Sequence, residues 1–532
     1  MERLKNTILI GILVAMATRR TQSSKILLIP VRQTSHIMEM NSLAIPLMSK
    51  GHKVTMVLPD ETKVPTKVEK SGMQILRWQF TNETSKYGQG LGGNFIEEAF
   101  EEFFNGEGTF LGKMMHNIPR DYQALVSECH GTLGDHALNK KLRAEKFDLV
   151  IVDGLFMSRC FFLIPFRMGV PYIGFSAIIP PDIMSTTYIL NSITPSDLST
   201  FGTGMTFFQR LLNILFTHGP LFLMRNFVHK KPELEKYADG RHFDSLAQLI
   251  SESKLWLVSQ HPLLDFPKPK PSFVIPIGGL NPTPPKPLPE KIQAFVDKSK
   301  GGMVIISFGG SVKQLPQRFL ASILEAANKL PNYSFLMRNK EYAGKLPSNV
   351  MMVDWLPQND ALGHPKTKLF ITHCGSGGQH EALYHGVPML GFPGIADQFH
   401  NAARMVERGY GLKMSLNDFT TEELVANLKT LLNTETHRMN IKHAAEIMHN
   451  PLNKPDETLI YWIEHVMKYG GDHLKINSDL NWFQILMWDI CLFLLVVSVL
   501  IIWINFKILQ CCYRKCCAKR SRPRPKAMKK QD

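Results

Sequence analysis

A buried strand, a glycine-rich turn and a helix follow one another in the second half of the chain. Residues 368–372 (KLFIT) are typical of the strand, residues 373–378 (HCGSGG) of the turn, and the helix is expected to begin at Gln379. The N–H groups and the dipole at a helix start hold an anion, and His373 and Ser376 add side-chain donors. The segment therefore predicts a phosphate-binding site.

Small and polar residues also follow the neighbouring strands. Ser307 ends the first strand of that half, and with Gly309 and Gly310 it predicts a second loop that approaches the same phosphates. Trp355 and Gln358 follow a short strand and its turn, where they offer a stacking surface and an amide to a base.

Three further side chains extend this set. Glu381, in the helix after the turn, can accept hydrogen bonds from ribose hydroxyls. Asp397 and Gln398 follow the next strand and can hold sugar hydroxyls. A base, a ribose, a diphosphate and a sugar would be met in order along successive strand ends, so the segment from Trp355 to Gln398 predicts a nucleotide-sugar site.

A general base is expected in the first half, because transfer of a sugar to a hydroxyl needs a group that takes its proton. His36 lies five residues past the first strand, in a predicted loop (QTSHIMEMN) that faces the cleft, and Asp153 ends a later strand (FDLVIVD). A carboxylate fixes the imidazole tautomer and stabilises the imidazolium as it forms. Asp148 lies at the opposite end of its strand and His52 lies on an ordinary turn before a strand, so neither is preferred.

The chain contains no Asp-x-Asp motif, which argues against a diphosphate bridged by a metal ion. The helix start and His373 are expected to compensate the diphosphate charge instead. We therefore expect no metal and no resident cofactor, and the nucleotide sugar would be a co-substrate.

Strands and helices alternate around these residues, which indicates an α/β protein with parallel sheets. Strands are predicted at 25–31, 53–58, 147–152 and 170–175 in the first half, and at 303–308, 333–337, 350–353 and 368–372 in the second. Nine prolines between Asp265 and Glu290 form a linker. We expect two Rossmann-like, doubly wound halves that face a cleft, with ligands at the carboxyl ends of the strands.

The 532 residues suit two domains, and the net charge of +15 is concentrated at the two ends. Residues 507–532 carry ten Lys/Arg against one Asp, and residues 1–24 carry four against one Glu, so the body is close to neutral. A basic groove for nucleic acid is therefore not expected.

The ends of the chain predict a membrane protein. Residues 1–24 contain a short apolar run after basic residues, which is the pattern of a signal peptide; a buried first strand is the alternative. Residues 485–506 predict one transmembrane helix flanked by tryptophans, and the basic tail at 507–532 places that side in the cytosol. The body would then lie outside the cytosol, as in a single-pass type I protein.

Cysteine and asparagine residues fit this topology. The body contains only Cys129, Cys160 and Cys374, so it is not a disulfide scaffold. Asn82 and Asn332 begin sequons that would carry glycans in a lumen.

Two apolar stretches of the first half leave two interpretations open. Phe and Met recur at mostly helical spacing over 95–115, and residues 211–224 carry no charge although Gly219-Pro220 interrupts them. The stretches are ordinary core, or they form an apolar acceptor pocket, with part of the surface dipping into a membrane.

The segment from Trp355 to Gln398 resembles the signature of the UDP-glycosyltransferases, in particular the membrane-bound animal UDP-glucuronosyltransferases, and the resemblance covers nearly the whole chain. It implies the GT-B fold and an inverting mechanism. It also implies an acceptor-binding domain at 25–280 and a UDP-sugar-binding domain with terminal helices at 281–480. The last four residues (KKQD) match a dilysine retrieval signal and imply the endoplasmic-reticulum membrane.

The resemblance also implies a role for each site residue. His36 and Asp153 would be the catalytic pair, and the UDP-sugar would be bound by Ser307, Trp355 (uracil), Gln358 (uridine), His373, Gly375 and Ser376 (diphosphate), Gly377, Glu381 (ribose), and Asp397 and Gln398 (sugar). Many animal members have Asn where this chain has Gly377 and Ser where it has Gly310. Both departures remove a donor near the phosphates.

The donor sugar stays open between glucose, glucuronate and galactose, and the acceptor is expected to be a small lipophilic hydroxyl compound or a lipid. A homo-oligomer is also left open. The alternative function is a catalytically weak or inactive membrane-anchored binding protein derived from such an enzyme. A nucleotide-sugar epimerase is disfavoured, because it would need neither an anchor nor an apolar pocket.

Overall fold

A computed structural model describes residues 23–79, 128–155, 158–180, 183, 191–227, 231–310, 312, 314–339, 342–475, 482–485 and 487–518. The predicted signal peptide up to residue 22, the sequon at Asn82, the apolar stretch at 95–115 and the dilysine motif lie outside these residues.

The first half alternates strands and helices as expected. Its elements are β1 (Lys25–Ile29), α1 (Thr34–Ser49), β2 (Lys53–Pro59), α2 (Thr66–Glu69), β3 (Gln74–Trp78), α3 (His136–Glu145), β4 (Leu149–Asp153), α4 (Leu163–Met168), β5 (Tyr172–Ser176), α5 (Phe207–Phe227), α6 (Lys231–Leu234), α7 (Leu246–Ser251), β6 (Trp256–Val258) and β7 (Val274–Pro276). Among the described residues the strands form one parallel sheet of order β3-β2-β1-β4-β5-β6-β7.

The second half repeats this design. Its elements are α8 (Glu290–Asp297), β8 (Gly302–Ser307), α9 (Gln317–Lys329), β9 (Tyr333–Arg338), β10 (Val350–Val353), α10 (Gln358–Leu362), β11 (Thr367–Thr372), α11 (Ser376–Tyr384), β12 (Met389–Gly391), α12 (Gln398–Glu407), β13 (Gly411–Lys413), α13 (Thr421–Asn433), α14 (Glu435–His449) and α15 (Pro455–Tyr469). Its described strands form a parallel sheet of order β10-β9-β8-β11-β12-β13.

Both sheets reverse their strand order beside the first strand, between β1 and β4 and between β8 and β11. Open α/β sheets bind ligands at such switch points, at the carboxyl ends of the strands. β1 and β4 are almost continuously apolar and buried, because helices cover both faces of a parallel sheet. Their register pairs Ile29 with Val152, so Asp153 ends β4 at the level where the chain leaves β1. The strand predictions around the site are confirmed.

Two helix starts differ from expectation. α1 begins at Thr34, so His36 lies in the first helical turn and not in a loop. α11 begins at Ser376 and not at Gln379, and Gly375 is its extended N-cap residue.

The expectation that Gly219-Pro220 interrupts the apolar run at 211–224 was also wrong, since α5 continues through both residues. A proline removes one hydrogen bond and bends a helix without necessarily ending it. On α5 several large apolar side chains are exposed, including Phe207, Phe208 and Leu215.

One disulfide joins Cys129 and Cys160, whose Cα atoms lie 6.0 Å apart in the core of the first half. The sequence showed that few cysteines were present but did not pair them. Cys374 is a free, buried thiol.

The chain divides into two compact units, one ending at Lys475 and the other beginning at Ile476. In the second unit, α16 (Trp482–Ile485) precedes α17 (Trp488–Ala518). Residues Trp488–Lys515 are long and apolar enough to cross a membrane, and they are the single such helix among the described residues. The predicted apolar C-terminal helix is therefore confirmed, and it continues beyond residue 506.

Candidate active site

The carboxyl end of β4 holds a tightly bonded His–Asp pair. His36 Nδ1 lies 2.6 Å from Asp153 Oδ2, and Asp153 is fully buried. The same carboxylate accepts the Val31 N–H at 3.3 Å and the Leu155 N–H at 3.1 Å, so its orientation is held by the backbone of two loops. Because Nδ1 donates to the carboxylate, Nε2 of His36 is the ring nitrogen left for a substrate proton.

Acidic groups from both halves surround this pair. Burial alone would lower the pKa of His36, but the charge and hydrogen bond of Asp153, with the charges of Glu39 and Asp397, raise that pKa to about 9. Asp397 belongs to the second half, so the predicted base and the predicted sugar-binding carboxylate face the same space. These carboxylates therefore stabilise the imidazolium form of His36.

Glu39 is a site residue that the sequence reasoning missed. It lies three residues after His36 on α1, which puts both side chains on one helix face. Glu39 is buried, and within the described part of the chain its Oε2 atom has no hydrogen-bond partner. Burial raises its pKa to about 7, with the Asp153 and Asp397 charges adding to the effect and His36 opposing it. The spacing of three residues between His36 and Glu39 could have indicated that both side chains share one face, if a helix had been predicted at His36.

The glycine-rich turn forms the start of α11 in the second half. The first intrahelical bond runs from the Gln379 N–H to the Gly375 carbonyl at 3.1 Å. The N–H groups of Ser376, Gly377 and Gly378 precede that bond, as an anion site at a helix start requires.

His373 lies across this turn because two glycines leave it room. A Cβ on Gly309 would lie 2.9 Å from the His373 ring, and one on Gly375 would lie 2.5 Å from Nε2. Gly309 also has a φ of +82°, which other residues rarely adopt. Ser307 ends β8 as a buried residue, and its backbone bonds to His373. The structure therefore brings the two predicted phosphate loops together.

Burial acts against a positive charge on the His373 imidazole. Burial lowers its pKa to about 4, and the Ser307 backbone bond opposes this only in part. The lowered pKa favours a neutral imidazole, which fits the role of side-chain hydrogen-bond donor predicted for His373.

The residues predicted to bind the base and the ribose lie beside the turn. Trp355 is 58% exposed, which is unusual for a large aromatic side chain, and the Arg338 guanidinium lies 5.5 Å from its ring centroid. Gln358 Nε2 donates to Glu381 Oε2 at 2.7 Å. Burial raises the pKa of Glu381 to about 6, and the Gln358 hydrogen bond opposes that rise.

The two predicted sugar-binding residues occupy the start of α12. Asn401 donates to Asp397 Oδ2 at 2.7 Å, which orients the carboxylate. Gln398 uses its Oε1 atom to accept the N–H groups of Gly394 and Ile395, at 2.9 and 3.1 Å. Gln398 therefore shapes the loop before α12, and its amide nitrogen is the atom that remains to meet a sugar.

A buried charge cluster joins the two halves beside α12. Lys268 Nζ lies 3.4 Å from Asp197 and 3.7 Å from Asp265, and Arg404 lies 3.8 Å from Asp265. His400 Nε2 lies 3.3 Å from Asp197. The two carboxylates and the histidine are close enough to hold a metal ion. However, Lys268 and Arg404 already neutralise the carboxylates, so a divalent cation would meet two fixed positive charges.

Comparison with known proteins gives one consistent result. Residues 24–523 match the family model described as UDP-glucoronosyl and UDP-glucosyl transferase. UDP-glucuronosyltransferase 2C1 of Oryctolagus cuniculus is 31% identical over 507 residues, which cover 91% of this chain and 97% of that protein. Human UDP-glucuronosyltransferase 1A10 is 31% identical over 521 residues, with 94% of each chain covered.

Solved structures give the same fold. The spinosyn forosaminyltransferase SpnP has a TM-score of 0.58 at 17% identity, and covers 84% of this chain and all of its own. The glycosyltransferase VinC in complex with DTDP has a TM-score of 0.55 at 18% identity. The match covers 84% of this chain and 100% of the VinC chain. This chain thus has the GT-B fold, and it belongs to the family of UDP-glucuronosyl and UDP-glucosyl transferases, enzymes that transfer a sugar from a UDP-sugar donor.

Proposed function

We propose that this protein transfers a hexosyl or glucuronosyl group from a UDP-sugar to a hydroxyl of a small lipophilic acceptor, with inversion, and that His36 and Asp153 are its catalytic pair. The 2.6 Å bond between His36 Nδ1 and Asp153 Oδ2 carries the proposal. It holds an imidazole at the switch point of the first sheet, where it faces Asp397 of the second half.

In the proposed reaction, Nε2 of neutral His36 takes the proton of the acceptor hydroxyl. The acceptor oxygen forms a bond to the anomeric carbon while the bond from that carbon to the β-phosphate oxygen breaks, and UDP leaves. Asp153 stabilises the imidazolium that forms. The new glycoside has the opposite anomeric configuration, because attack and departure occur on opposite faces.

The diphosphate of the leaving UDP would be bound by the start of α11, with Ser307, His373, Gly375, Ser376 and Gly377 lining the site. Preorganised donors of this kind stabilise the charge that develops on the leaving group. We propose that no metal ion takes part. The pairing of Lys268 and Arg404 with Asp197 and Asp265 supports this, since that acidic cluster is already neutralised.

The uridine would stack on Trp355 and bond to Gln358, the ribose would bond to Glu381, and the sugar would contact Asp397 and Gln398. The exposed Trp355 ring supports the first of these contacts. Glucose, glucuronate and galactose remain candidate donors, and the relatives compared above are named as glucuronosyltransferases. The exposed apolar face of α5 supports a lipophilic acceptor or a lipid.

We further propose a single-pass type I protein of the endoplasmic-reticulum membrane, with a cleaved signal peptide, a lumenal body at 25–480 and a basic cytosolic tail. The Cys129–Cys160 disulfide supports an oxidising lumen. Asn332 is exposed at the turn before β9, where a glycan would find room.

A panel assay tests the proposal. Microsomes that contain the full chain are incubated with labelled UDP-glucose, UDP-glucuronate and UDP-galactose, each with phenolic, steroid and lipid acceptors. We expect transfer from at least one donor, and a loss of about a hundredfold or more in His36→Ala. The matched control is His242→Ala, which removes an exposed histidine that also lies near an aspartate, Asp244, at 3.2 Å.

The same assay tests the alternative of an inactive binding protein. The intact, bonded His36–Asp153 pair disfavours that alternative. Transfer to none of the acceptors, with no hydrolysis of any donor, would support it. Full activity in His36→Ala would instead show that the catalytic pair is misassigned.

A further inference from the structure

Gly377 lies in the first turn of α11, at the position where the family resemblance implies an asparagine in many animal members. Among the described residues outside its own helix, the one atom within 4 Å of a Cβ built on Gly377 is Nδ2 of Asn281, at 4.0 Å. An amide from a distant part of the chain therefore occupies the neighbourhood into which an asparagine at 377 would extend.

Asn281 comes from the linker between the halves, after β7 and before α8. Its side chain is half-buried. Its Oδ1 atom lies within hydrogen-bond distance of the hydroxyl of Ser42, which is buried on α1. Within the described part of the chain, Nδ2 has no hydrogen-bond partner.

The Ser42 hydroxyl sets the orientation of this amide. Its single hydrogen has two acceptors in reach, the Met38 carbonyl at 3.0 Å and Asn281 Oδ1. When Ser42 donates to Oδ1, the two N–H bonds of Nδ2 are left for the space beside Gly377. An anion in that space favours this arrangement, because it would be repelled by Oδ1 and attracted by Nδ2.

We propose that Asn281 is a diphosphate-binding residue, which supplies from the linker the amide donor that position 377 lacks. This inference rests on the proposed binding of the UDP diphosphate at the start of α11. It also links the donor to the catalytic helix, since α1 carries both Ser42 and His36.

The test compares the affinities of UDP and uridine for the full-length protein in detergent. A residue that contacts only the diphosphate changes UDP binding and leaves uridine binding unchanged. We expect Asn281→Ala to weaken UDP by roughly tenfold or more, since it loses a hydrogen bond to a charged group. Asn281→Asp keeps the acceptor for Ser42 and places a negative oxygen beside the phosphates, so it should weaken UDP further.

A second-site variant separates binding from packing. Gly377→Asn added to Asn281→Ala returns an amide to the same space from α11, and we expect it to restore UDP affinity to within about threefold of the original. Thr283→Ala is the control: it alters the same linker, but its hydroxyl bonds to Asn359 of α10, so the UDP-to-uridine affinity ratio should not change.

Three outcomes overturn the inference while leaving the proposed function intact. They are unchanged UDP affinity in Asn281→Ala, a parallel loss of UDP and uridine affinity, and failure of Gly377→Asn to restore UDP binding in a double variant that still binds uridine. If the unmodified protein binds uridine but gains nothing from the diphosphate of UDP, both the inference and the proposed donor site are wrong.

Discussion

Gly310 of the second half lies against Thr34, the first residue of the helix that carries His36. A Cβ on Gly310 would lie 2.8 Å from Thr34 Cγ2, which is too close for two carbon atoms. The small residue at 310 therefore allows the loop after β8 to approach the start of α1, and so affects how closely the proposed phosphate loops face His36 and Asp153.

Gly310→Ser adds a side chain at this contact and should lower activity. We expect the clash to displace the start of α1, so that kcat falls several-fold. Thr34→Ser removes Cγ2 and should recover activity in the double variant. Gly204→Ser is the control, because a Cβ there meets no atom within 4 Å. An unchanged kcat in Gly310→Ser would show that the loop yields without moving His36.

The charge of Glu39 should set the pH at which His36 becomes a base. With a His36 pKa of about 9, kcat/KM should rise with pH up to that region, because only neutral imidazole accepts a proton. Glu39→Gln removes a negative neighbour, destabilises the imidazolium and shifts the rising limb to lower pH. The pH profiles of both forms test this, and coincident profiles would mean that Glu39 does not act on His36.

UDP binding should weaken in acid as Glu381 takes up a proton. Its pKa of about 6 lies above the ordinary value, so the carboxylate that we propose accepts the ribose hydroxyls is lost as the pH falls through 6. Titration calorimetry of UDP between pH 5 and pH 8 measures the effect. Glu381→Gln should bind more weakly at pH 8 and lose this pH dependence; retention of the full dependence would assign it to another group.

The buried charge cluster should be sensitive to the loss of one member. Lys268→Met leaves Asp197 and Asp265 without their shared ammonium, and breaking a buried pair costs about 3–5 kcal/mol. We expect a clearly lower thermal midpoint. Lys329→Met is the control, since Lys329 pairs with Glu325 on the solvent side of α9 and exposed pairs contribute little. Equal midpoints for both variants would contradict a stabilising role for the cluster.

The local sequence pattern was sufficient to predict the strands that position much of the candidate site. Continuous apolar runs predicted β1, β4, β8 and β11, because strands buried on both faces must be apolar along their whole length. Strand ends followed by small or polar residues then indicated Asp153, Ser307 and the turn before α11. The pairing of His36 with Asp153 was implied by the family resemblance, and the structure shows that the neighbouring parallel strands β1 and β4 bring the two residues together.

Helix starts were less well predicted. Residues 34–36 and 376–378 have no strong helical pattern of their own. Nevertheless, α1 begins at Thr34 and α11 at Ser376, shortly after the strands that precede them in the chain. Because His36 was predicted to lie in a loop, Glu39 was not recognised as its neighbour. The two side chains share one face only when both residues are helical.

The sequence by itself determined the strands, the order of the two halves, the glycine-rich helix start and the apolar C-terminal helix, because each depends on neighbouring residues and their periodicity. Tertiary structure alone decided that Asn281 meets Gly377, that Asp197 pairs with Lys268 and that Gly310 touches Thr34. Such contacts depend on which surfaces pack together, and Ser42 and Asn281, for example, are 239 residues apart in the chain. No local pattern encodes a distance of that kind.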